Sequence, residues 1–126
     1  MVGHTLVVVH GATHPSDADW AIYLVALARN IATIEAQLII TNGGSPNSEQ
    51  RRASLEIAAG RPVPPSAVVT SSVLARGAVT ALSWFMKDRI HAFRPDEFDE
   101  ACAFIGATAE KGTLRDAVTR LRARLT

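Results

Sequence analysis

Short apolar runs and longer amphipathic segments alternate along the chain. The runs LVVV, LIIT and AVVT are rich in β-branched residues, as is typical of strands buried in a sheet. The segment after the first run repeats apolar residues at intervals of three and four, which is the spacing of one helix face. The pattern predicts four strands, at residues 6–9, 38–41, 67–70 and 89–93. It predicts five helices, at residues 17–34, 46–59, 73–86, 96–105 and 113–125.

Residues that cap helices support these boundaries. Three of the predicted helix starts have Asp three residues after the capping residue, an arrangement that resembles a capping box. At the second helix a serine precedes a proline, the preferred pair for an N-cap and a first helical residue. The four predicted N-caps are Ser16, Ser45, Asp96 and Thr113. Gly60 and Gly106 stand where a left-handed residue is expected to end the second and fourth helices.

The alternation of strands and helices predicts the fold class. Strands joined by helical crossovers are almost always parallel, and the connections are right-handed. We therefore expect an α/β fold of four βα units in a right-handed superhelix, with a mostly parallel four-stranded sheet and an extra C-terminal helix. A chain of 126 residues is long enough for one domain with an apolar core, residues 1–126, in which 113–125 is an appended amphipathic helix.

Composition and charge narrow the functional classes. A hydrophobic content of 48% and a net charge of +1 are ordinary for a globular protein, and they argue against nucleic-acid binding through overall charge. Cys102 is the only cysteine, so it has no partner for an internal disulfide, and a reducing compartment is expected. The sequence lacks a signal-peptide pattern and any apolar run of membrane-spanning length. We therefore expect a cytoplasmic protein that binds neither membranes nor nucleic acid.

The loops that follow parallel strands lie along one edge of a sheet, where α/β proteins usually meet their ligands. His10 and His14 lie in the first of these loops, but the glycine between them and the proline after them predict a turn. No cysteine or carboxylate cluster completes a metal site with them. The glycines of TNGGSPNSEQRR lack the lysine of a phosphate-binding loop and the spacing of a dinucleotide-binding loop. We therefore expect no metal, no cofactor and no catalytic residue. The polar residues at this edge are His10, His14, Asn42, Ser45, Ser48, Ser71, Ser72 and Arg94.

Four aromatic residues fall at helical spacing, and their predicted place is the core. Large aromatic rings are mostly buried because their burial contributes strongly to stability. The alternative is a pocket for an apolar ligand, lined by the same four residues, Trp20, Tyr23, Trp84 and Phe85. Cys102 lies in the apolar stretch EACAFI and is expected to be buried, with no basic neighbour to activate its thiol.

The predicted C-terminal helix carries an apolar stripe and a cluster of basic residues. An isolated helix of this length is marginal in water, so the stripe must be buried against another surface. We expect it to pack on its own domain, and pairing with a second subunit as a homodimer is the alternative. The stripe consists of Leu114, Val118, Leu121 and Leu125. The basic residues of this region are Lys111, Arg115, Arg120, Arg122 and Arg124, against the single acidic residue Asp116.

Two stretches of the chain resemble a known family. The succession of βα units, with AVVTSSVLARGAVTALSWF leading to IHAFRPDEFDEACAFIG, resembles the SpoIIAA-like group, which contains the STAS domains. The resemblance covers residues 5–106 and is closest to the stand-alone bacterial STAS/SEC14-like proteins. It implies a four-turn βα superhelix with helices mainly on one face. It also implies protein–protein recognition rather than catalysis, as in the anti-sigma-factor antagonists.

In those antagonists a partner kinase phosphorylates a serine at the start of the second βα helix and so switches binding off. By position, the resemblance places this serine at Ser45 or Ser48. The family has Asp directly before the serine, whereas Gly44 precedes Ser45 and Asn47 precedes Ser48 in this chain. Capping of the helix by Ser45 alone is the favoured interpretation, since serine followed by proline is explained by helix chemistry.

Three functional classes follow from the sequence. The leading one is a non-enzymatic regulatory or scaffold module that binds a protein partner through the strand-end loops and the second helix. The second is a protein that binds or senses a small apolar ligand or lipid, and the third is a small hydrolase or phosphotransfer enzyme that uses His10, His14 and Ser45. The partner-facing residues predicted for the leading class are His10, His14, Asn42, Ser45, Ser48, Arg51 and Arg52.

Overall fold

The computed structural model describes residues 1–58, 61 and 64–124, with the main chain but not the side chain of Phe85. The strands are β1 (Thr5–His10), β2 (Ala36–Thr41), β3 (Ser66–Thr70) and β4 (Ile90–Phe93). The helices are α1 (Asp17–Asn30), α2 (Ser48–Ile57), α3 (Val73–Phe85), α4 (Phe98–Phe104) and α5 (Lys111–Ala123). The predicted order of four βα units followed by an extra helix is confirmed.

All four strands are parallel, and their order in the sheet is β1-β2-β3-β4. Each crossover therefore moves one strand further in the same direction. Right-handed crossovers that advance in one direction place their helices on a single face of the sheet, so α1, α2 and α3 form one layer. The opposite face is covered by α4, which packs on β3 and β4, and by α5, which packs on β1.

The face beneath α4 and α5 holds the main apolar core. Side chains alternate between the two faces of a strand, so Leu38 and Ile40 point to this face while Gln37 and Ile39 point to the α1–α3 layer. Cys102 from α4 and Leu114 from α5 are fully buried against the sheet. Burial of a leucine side chain contributes about 1.5–3 kcal/mol, so this face supplies much of the stability. The buried cluster consists of Ala36, Leu38, Ile40, Ala67, Val69, Ala101, Cys102, Ile105, Ala107, Leu114 and Val118.

The apolar stripe of the C-terminal helix packs on its own domain, as the sequence predicts. Leu114 and Val118 belong to the buried cluster, and Leu121 is half-buried. Leu125, the last member of the predicted stripe, lies outside the described residues, as does Gly60, the predicted end of the second helix.

Several predicted boundaries hold and others are wrong. The Ser16 hydroxyl caps α1 by accepting from the Asp19 N–H at 3.1 Å, and Gly106 has the predicted left-handed φ of 72° after α4. Asp96 and Thr113 do not cap helices. Asp96 lies in the 3-10 turn Pro95–Glu97 that precedes α4, and Thr113 lies inside α5, which begins two residues earlier. Two short 3-10 turns, at Pro95–Glu97 and Thr108–Glu110, thus replace the expected caps.

Candidate functional site

The loops that follow the four parallel strands form one edge of the sheet, here called the carboxyl edge: residues 11–16, 42–47, 71–72 and 94. This edge is where open α/β sheets usually bind ligands. Because the sheet is parallel throughout, every polar residue that the sequence places after a strand reaches this edge.

Glycine at position 44 holds two of these loops together. The Gly44 N–H donates to the Gly11 carbonyl at 3.0 Å. A Cβ on Gly44 would lie 2.2 Å from the Thr13 carbonyl oxygen, so any other residue would force the two loops apart. The Thr41 hydroxyl donates to the Gly44 carbonyl at 2.6 Å and accepts from the Gly43 N–H at 3.1 Å. Gly44 therefore serves close contact between the loops, and its N–H is already occupied.

The start of α2 differs from the prediction. Asn47, not Ser45, is the N-cap. The Asn47 side chain accepts from the Gln50 N–H at 2.9 Å, and the Gln50 side chain accepts from the Asn47 N–H at 2.9 Å. This reciprocal capping box satisfies two helix-end donors, whereas a serine alone satisfies one. Ser45 is exposed and Pro46 precedes the cap, so the prediction that Ser45 caps the second helix is wrong.

Gln50 also ties α2 to α1. Its side chain is buried, with 5% of its surface exposed, and its Nε2 donates to the Pro15 carbonyl at 2.8 Å and to Asp17 Oδ1 at 3.2 Å. The Gln50 carbonyl accepts from Trp20 Nε1 at 2.9 Å. The sequence reasoning missed this residue, although Asn47 and Gln50 at a spacing of three are a capping-box signal.

The two histidines of the first loop occupy different environments. His10 is half-buried and stacks on Trp20 with ring centroids 6.2 Å apart, and Trp20 lies against Tyr23 at 4.4 Å. Burial lowers the pKa of His10 below its ordinary value, because it disfavours the charged ring. Burial likewise raises the pKa of Tyr23. His10 is thus partly covered by Trp20 but also lines an open cavity along β1. Its predicted place on the partner-facing surface stays a prediction.

His14 is exposed and its Nδ1 lies against the main-chain oxygen of Ser45. This contact reaches the carbonyl of Ser45 and not its hydroxyl, so the nucleophile and base of the hydrolase interpretation are not joined. In the part of the chain that the structure describes, no three histidine, cysteine, aspartate or glutamate side chains are grouped to hold a metal ion.

Five of the predicted partner-facing residues are exposed on the loop before α2 and on the first turns of α2. Two guanidinium contacts lie within this stretch: Arg51 Nη1 donates to the Pro46 carbonyl at 3.2 Å, and Arg51 Nη2 donates to Ser48 Oγ at 3.3 Å. These contacts hold the Arg51 side chain against Pro46 and Ser48 at the start of α2. The five exposed residues are Asn42, Ser45, Ser48, Arg51 and Arg52.

The remaining polar residues of the edge are engaged in local structure. The Ser72 hydroxyl caps α3 by accepting from the Ala75 N–H at 3.1 Å. Arg94 pairs with Asp96 at 3.2 Å and with Glu97 at 3.6 Å. Ser71 is exposed, and no hydrogen bond of its side chain to a described residue is present. These contacts stabilise helix starts and do not converge on a common ligand position.

The sequence reasoning also missed a large apolar surface outside the carboxyl edge. Among the described residues, seven of the eight large hydrophobic side chains that are strongly exposed lie on the α1–α3 layer, and the eighth is Met1. Trp84 is 84% exposed, so its predicted burial in the core is wrong, as is its predicted place in a pocket with Trp20, which is 6% exposed. We call this set the apolar surface of the α1–α3 layer: Ile22, Val25, Leu55, Val73, Leu74, Leu82 and Trp84.

The fold and this edge define an α/β protein with an all-parallel four-stranded sheet, helices on both faces and a polar carboxyl edge. No family model matches the chain, and neither the curated proteins nor the solved structures contain a match to it. The resemblance to the STAS domains therefore stays a prediction. Within the described residues, no helix has the length and apolar character needed to cross a membrane.

Proposed function

We propose that this protein is a non-enzymatic regulatory or scaffold module that binds a protein partner through the apolar surface of the α1–α3 layer. The observation that carries the proposal is the exposure of seven large apolar side chains on this one layer. Scattered exposed hydrophobic residues are normal, but a group of them on one side of a small domain is typical of an interaction site.

The chemistry of this surface fits a protein interface. Trp84 is 84% exposed and Leu74 is 87% exposed, and tryptophan is among the residues that contribute most to binding energy at interfaces. Arg51 and Arg52 lie one turn before Leu55 on α2, so a charged rim borders the apolar residues there. An apolar centre with a polar rim is the usual anatomy of such interfaces.

The resemblance to STAS domains supports a regulatory role. The contacts of Ser48 support this serine as the residue that a kinase would phosphorylate. Ser48 is the first residue of α2, where the free N–H groups and positive end of the helix favour a phosphate. Its hydroxyl already receives a hydrogen bond from Arg51, which would pair with the phosphate. Ser45 is exposed but lies before the cap and has no such arginine contact. A reducing, cytoplasmic location is part of the same proposal and rests on the free thiol of buried Cys102.

Partner capture with matched variants tests the proposal. A tagged Leu74→Glu/Trp84→Glu double variant should stay folded by circular dichroism, since both side chains are exposed, and should lose the partner that the wild-type protein captures from lysate. The control is Ala103→Glu, an exposed residue on α4 at the opposite face, which should retain the partner. Equal capture by the double variant and the wild type would contradict the proposal.

A second candidate function, binding of a small apolar ligand, is favoured by one cavity. A cavity of about 260 Å³ lies between α1, α2 and the end of α3, above the sheet. Leu27, Ile31, Ile39, Met86 and Ile90 give it an apolar lining. Of the four aromatic residues expected to line such a pocket, Tyr23 does so, whereas Trp84 is on the outside. The wild-type protein should bind a fluorescent fatty acid. The variant Ile31→Trp, whose larger side chain fills the cavity, should lose this binding.

A further inference from the structure

The two edges of the sheet are protected unequally. β4 is four residues long and has Asp88 and Arg89 before it and Arg94 and Pro95 after it. Short length, charge and proline are the devices that keep an edge strand from pairing with another chain. β1 is six residues long, and its sequence TLVVVH contains no lysine, arginine, carboxylate or proline. β1 is therefore the edge that is open to pairing.

Main-chain contacts show which residues of β1 face outward. Thr5 exchanges two hydrogen bonds of 2.9 Å with Val2, on the side away from β2, whereas the His4 carbonyl accepts from the Glu35 N–H on the side of β2. Successive residues of a strand direct their N–H and C=O groups to opposite sides. Val7 and Val9 therefore face outward like Thr5, and no described residue makes a hydrogen bond to them there.

A groove follows this edge between α1 and α5. A cavity of about 630 Å³ extends along β1 from Leu6 to His14, and one of about 290 Å³ continues it toward Val2. On the α1 side the wall contains Ile22, which is 71% exposed, and Tyr23. On the α5 side the wall contains Arg120, Leu121 and Arg124. Arg120 and Arg124 are exposed, and neither forms an ion pair within the described part of the chain.

We propose that β1 binds an extended segment of a partner protein as a fifth strand, and that this segment alternates acidic and apolar residues. Pairing with the segment would satisfy the N–H and C=O groups of Val7 and Val9, as in other cases of strand addition. The side chains of Val7 and Val9 point to the α5 face, so residues of the segment opposite them meet Arg120 and Arg124. Residues opposite Val8 meet the apolar wall of α1.

The charge of the groove selects this occupant over a second copy of the chain. An antiparallel pair of β1 strands related by a two-fold axis would bring both copies of α5 to the same face. Arg120 and Arg124 of one copy would then approach the same residues of the other, and like charges in proximity are unfavourable. Asp19 is the carboxylate that the α1 wall contributes, and it lies at the His14 end. Acidic residues therefore fit the α5 side and apolar residues fit the α1 side.

A binding titration with short capped peptides tests the proposal. A peptide of alternating glutamate and valine should shift the amide resonances of Val7 and Val9 and slow their hydrogen exchange, and the binding should weaken as salt is added. A lysine–valine peptide of the same length should not bind. The double variant Arg120→Glu/Arg124→Glu should weaken binding of the glutamate peptide about tenfold, as expected for two exposed ion pairs, and should gain binding of the lysine peptide.

Arg122→Glu is the matched control, because Arg122 is on the same helix but lines a different cavity, near Asp96 and Asp99. It should leave the affinity for the glutamate peptide unchanged. Three results would overturn the proposal. The first is the absence of any shift at Val7 and Val9, and the second is equal binding of the two peptides. The third is protection of these amides that grows with protein concentration alone. The last result would assign the edge to a homodimer. Leu74→Glu/Trp84→Glu should not affect peptide binding, so failure here and failure of the proposed function are distinguishable.

Discussion

The face of the sheet beneath α4 and α5 buries its large apolar side chains, whereas the α1–α3 layer leaves seven of them in contact with water. On the α4–α5 face, Leu38, Ile40 and Leu114 are at most 2% exposed. Polar contacts join α1 to α2 instead: the Gln50 side chain reaches two groups of the α1 start, and the Trp20 indole reaches the Gln50 carbonyl. The α4–α5 face thus holds the main apolar core. The α1–α3 layer buries Trp20 and Leu27 but leaves seven large apolar side chains exposed.

Removal of α5 should have the largest effect on stability, because it uncovers the α4–α5 face of the sheet. Truncation after Gly112 deletes Leu114, Ala117 and Val118, which are buried against the sheet. The loss exposes the main apolar cluster, so we expect a protein that is unfolded or aggregated by circular dichroism and gel filtration. A truncated protein that stays soluble, monomeric and equally resistant to heat would show that α5 is dispensable.

The same substitution on the two faces should give unequal costs. Leu114→Ala removes a fully buried side chain from the α4–α5 face and should lower the free energy of unfolding by about 2–5 kcal/mol. Leu74→Ala removes a side chain that is 87% exposed on the α1–α3 layer and should change it by less than about 0.5 kcal/mol. Urea unfolding of both variants measures the difference. Similar costs would mean that the α1–α3 layer is as tightly packed as the other.

The polar contacts of the α1–α3 layer predict a smaller effect at the start of α2. Asn47→Ala should cost about 1 kcal/mol, because it removes the side chain that accepts from the Gln50 N–H. Ser45→Ala should be close to neutral, since the exposed Ser45 hydroxyl does not cap the helix. The urea midpoints of the two variants decide between Asn47 and Ser45 as the cap, and a loss confined to Ser45→Ala would reverse the assignment.

The smallest expected effect is a pH dependence of the free energy of unfolding, caused by His10 on the α1 side of the sheet. Burial lowers the pKa of His10 in the folded protein, while the unfolded chain takes up this proton near pH 6.5. The stability linked to neutral His10 is therefore fully present above about pH 6.5 and is lost as the pH falls through the lowered folded pKa. Urea midpoints above and below that pH should differ less in His10→Gln than in the wild type.

The order of the elements could be predicted from the sequence because β-branched runs and helical periodicity depend on local residues. The parallel sheet followed from the crossovers. The first residues of the helices were harder to predict, since the sequence offers two possible N-caps for α2. Ser45 with Pro46 satisfies one donor, whereas Asn47 with Gln50 satisfies two and adds the contacts of Gln50 to α1. Those contacts span more than 30 residues, so no local pattern contains them.

The candidate site was predicted in part. Asn42, Ser45, Ser48, Arg51 and Arg52 lie close together because they belong to one short stretch of the chain that follows β2. The outward position of Trp84 does not follow from the sequence, because the more buried side of α3 carries Ala75, Val79 and Ser83, whereas its larger apolar residues face outward. Likewise, the open edge at β1 depends on strand order, which the alternation of elements leaves undetermined.

Because the strands pair in the order in which they occur along the chain, a ribosome would release each one next to the strand that it joins. Pairing can then proceed during synthesis, with α1, α2 and α3 added as each crossover is completed. The last described helix, α5, packs on the first strand, β1. Until Leu114 and Val118 have emerged, the nascent sheet has an uncovered apolar face at Leu38 and Ile40. A chain stalled before α5 would therefore resemble the partly folded species that molecular chaperones bind.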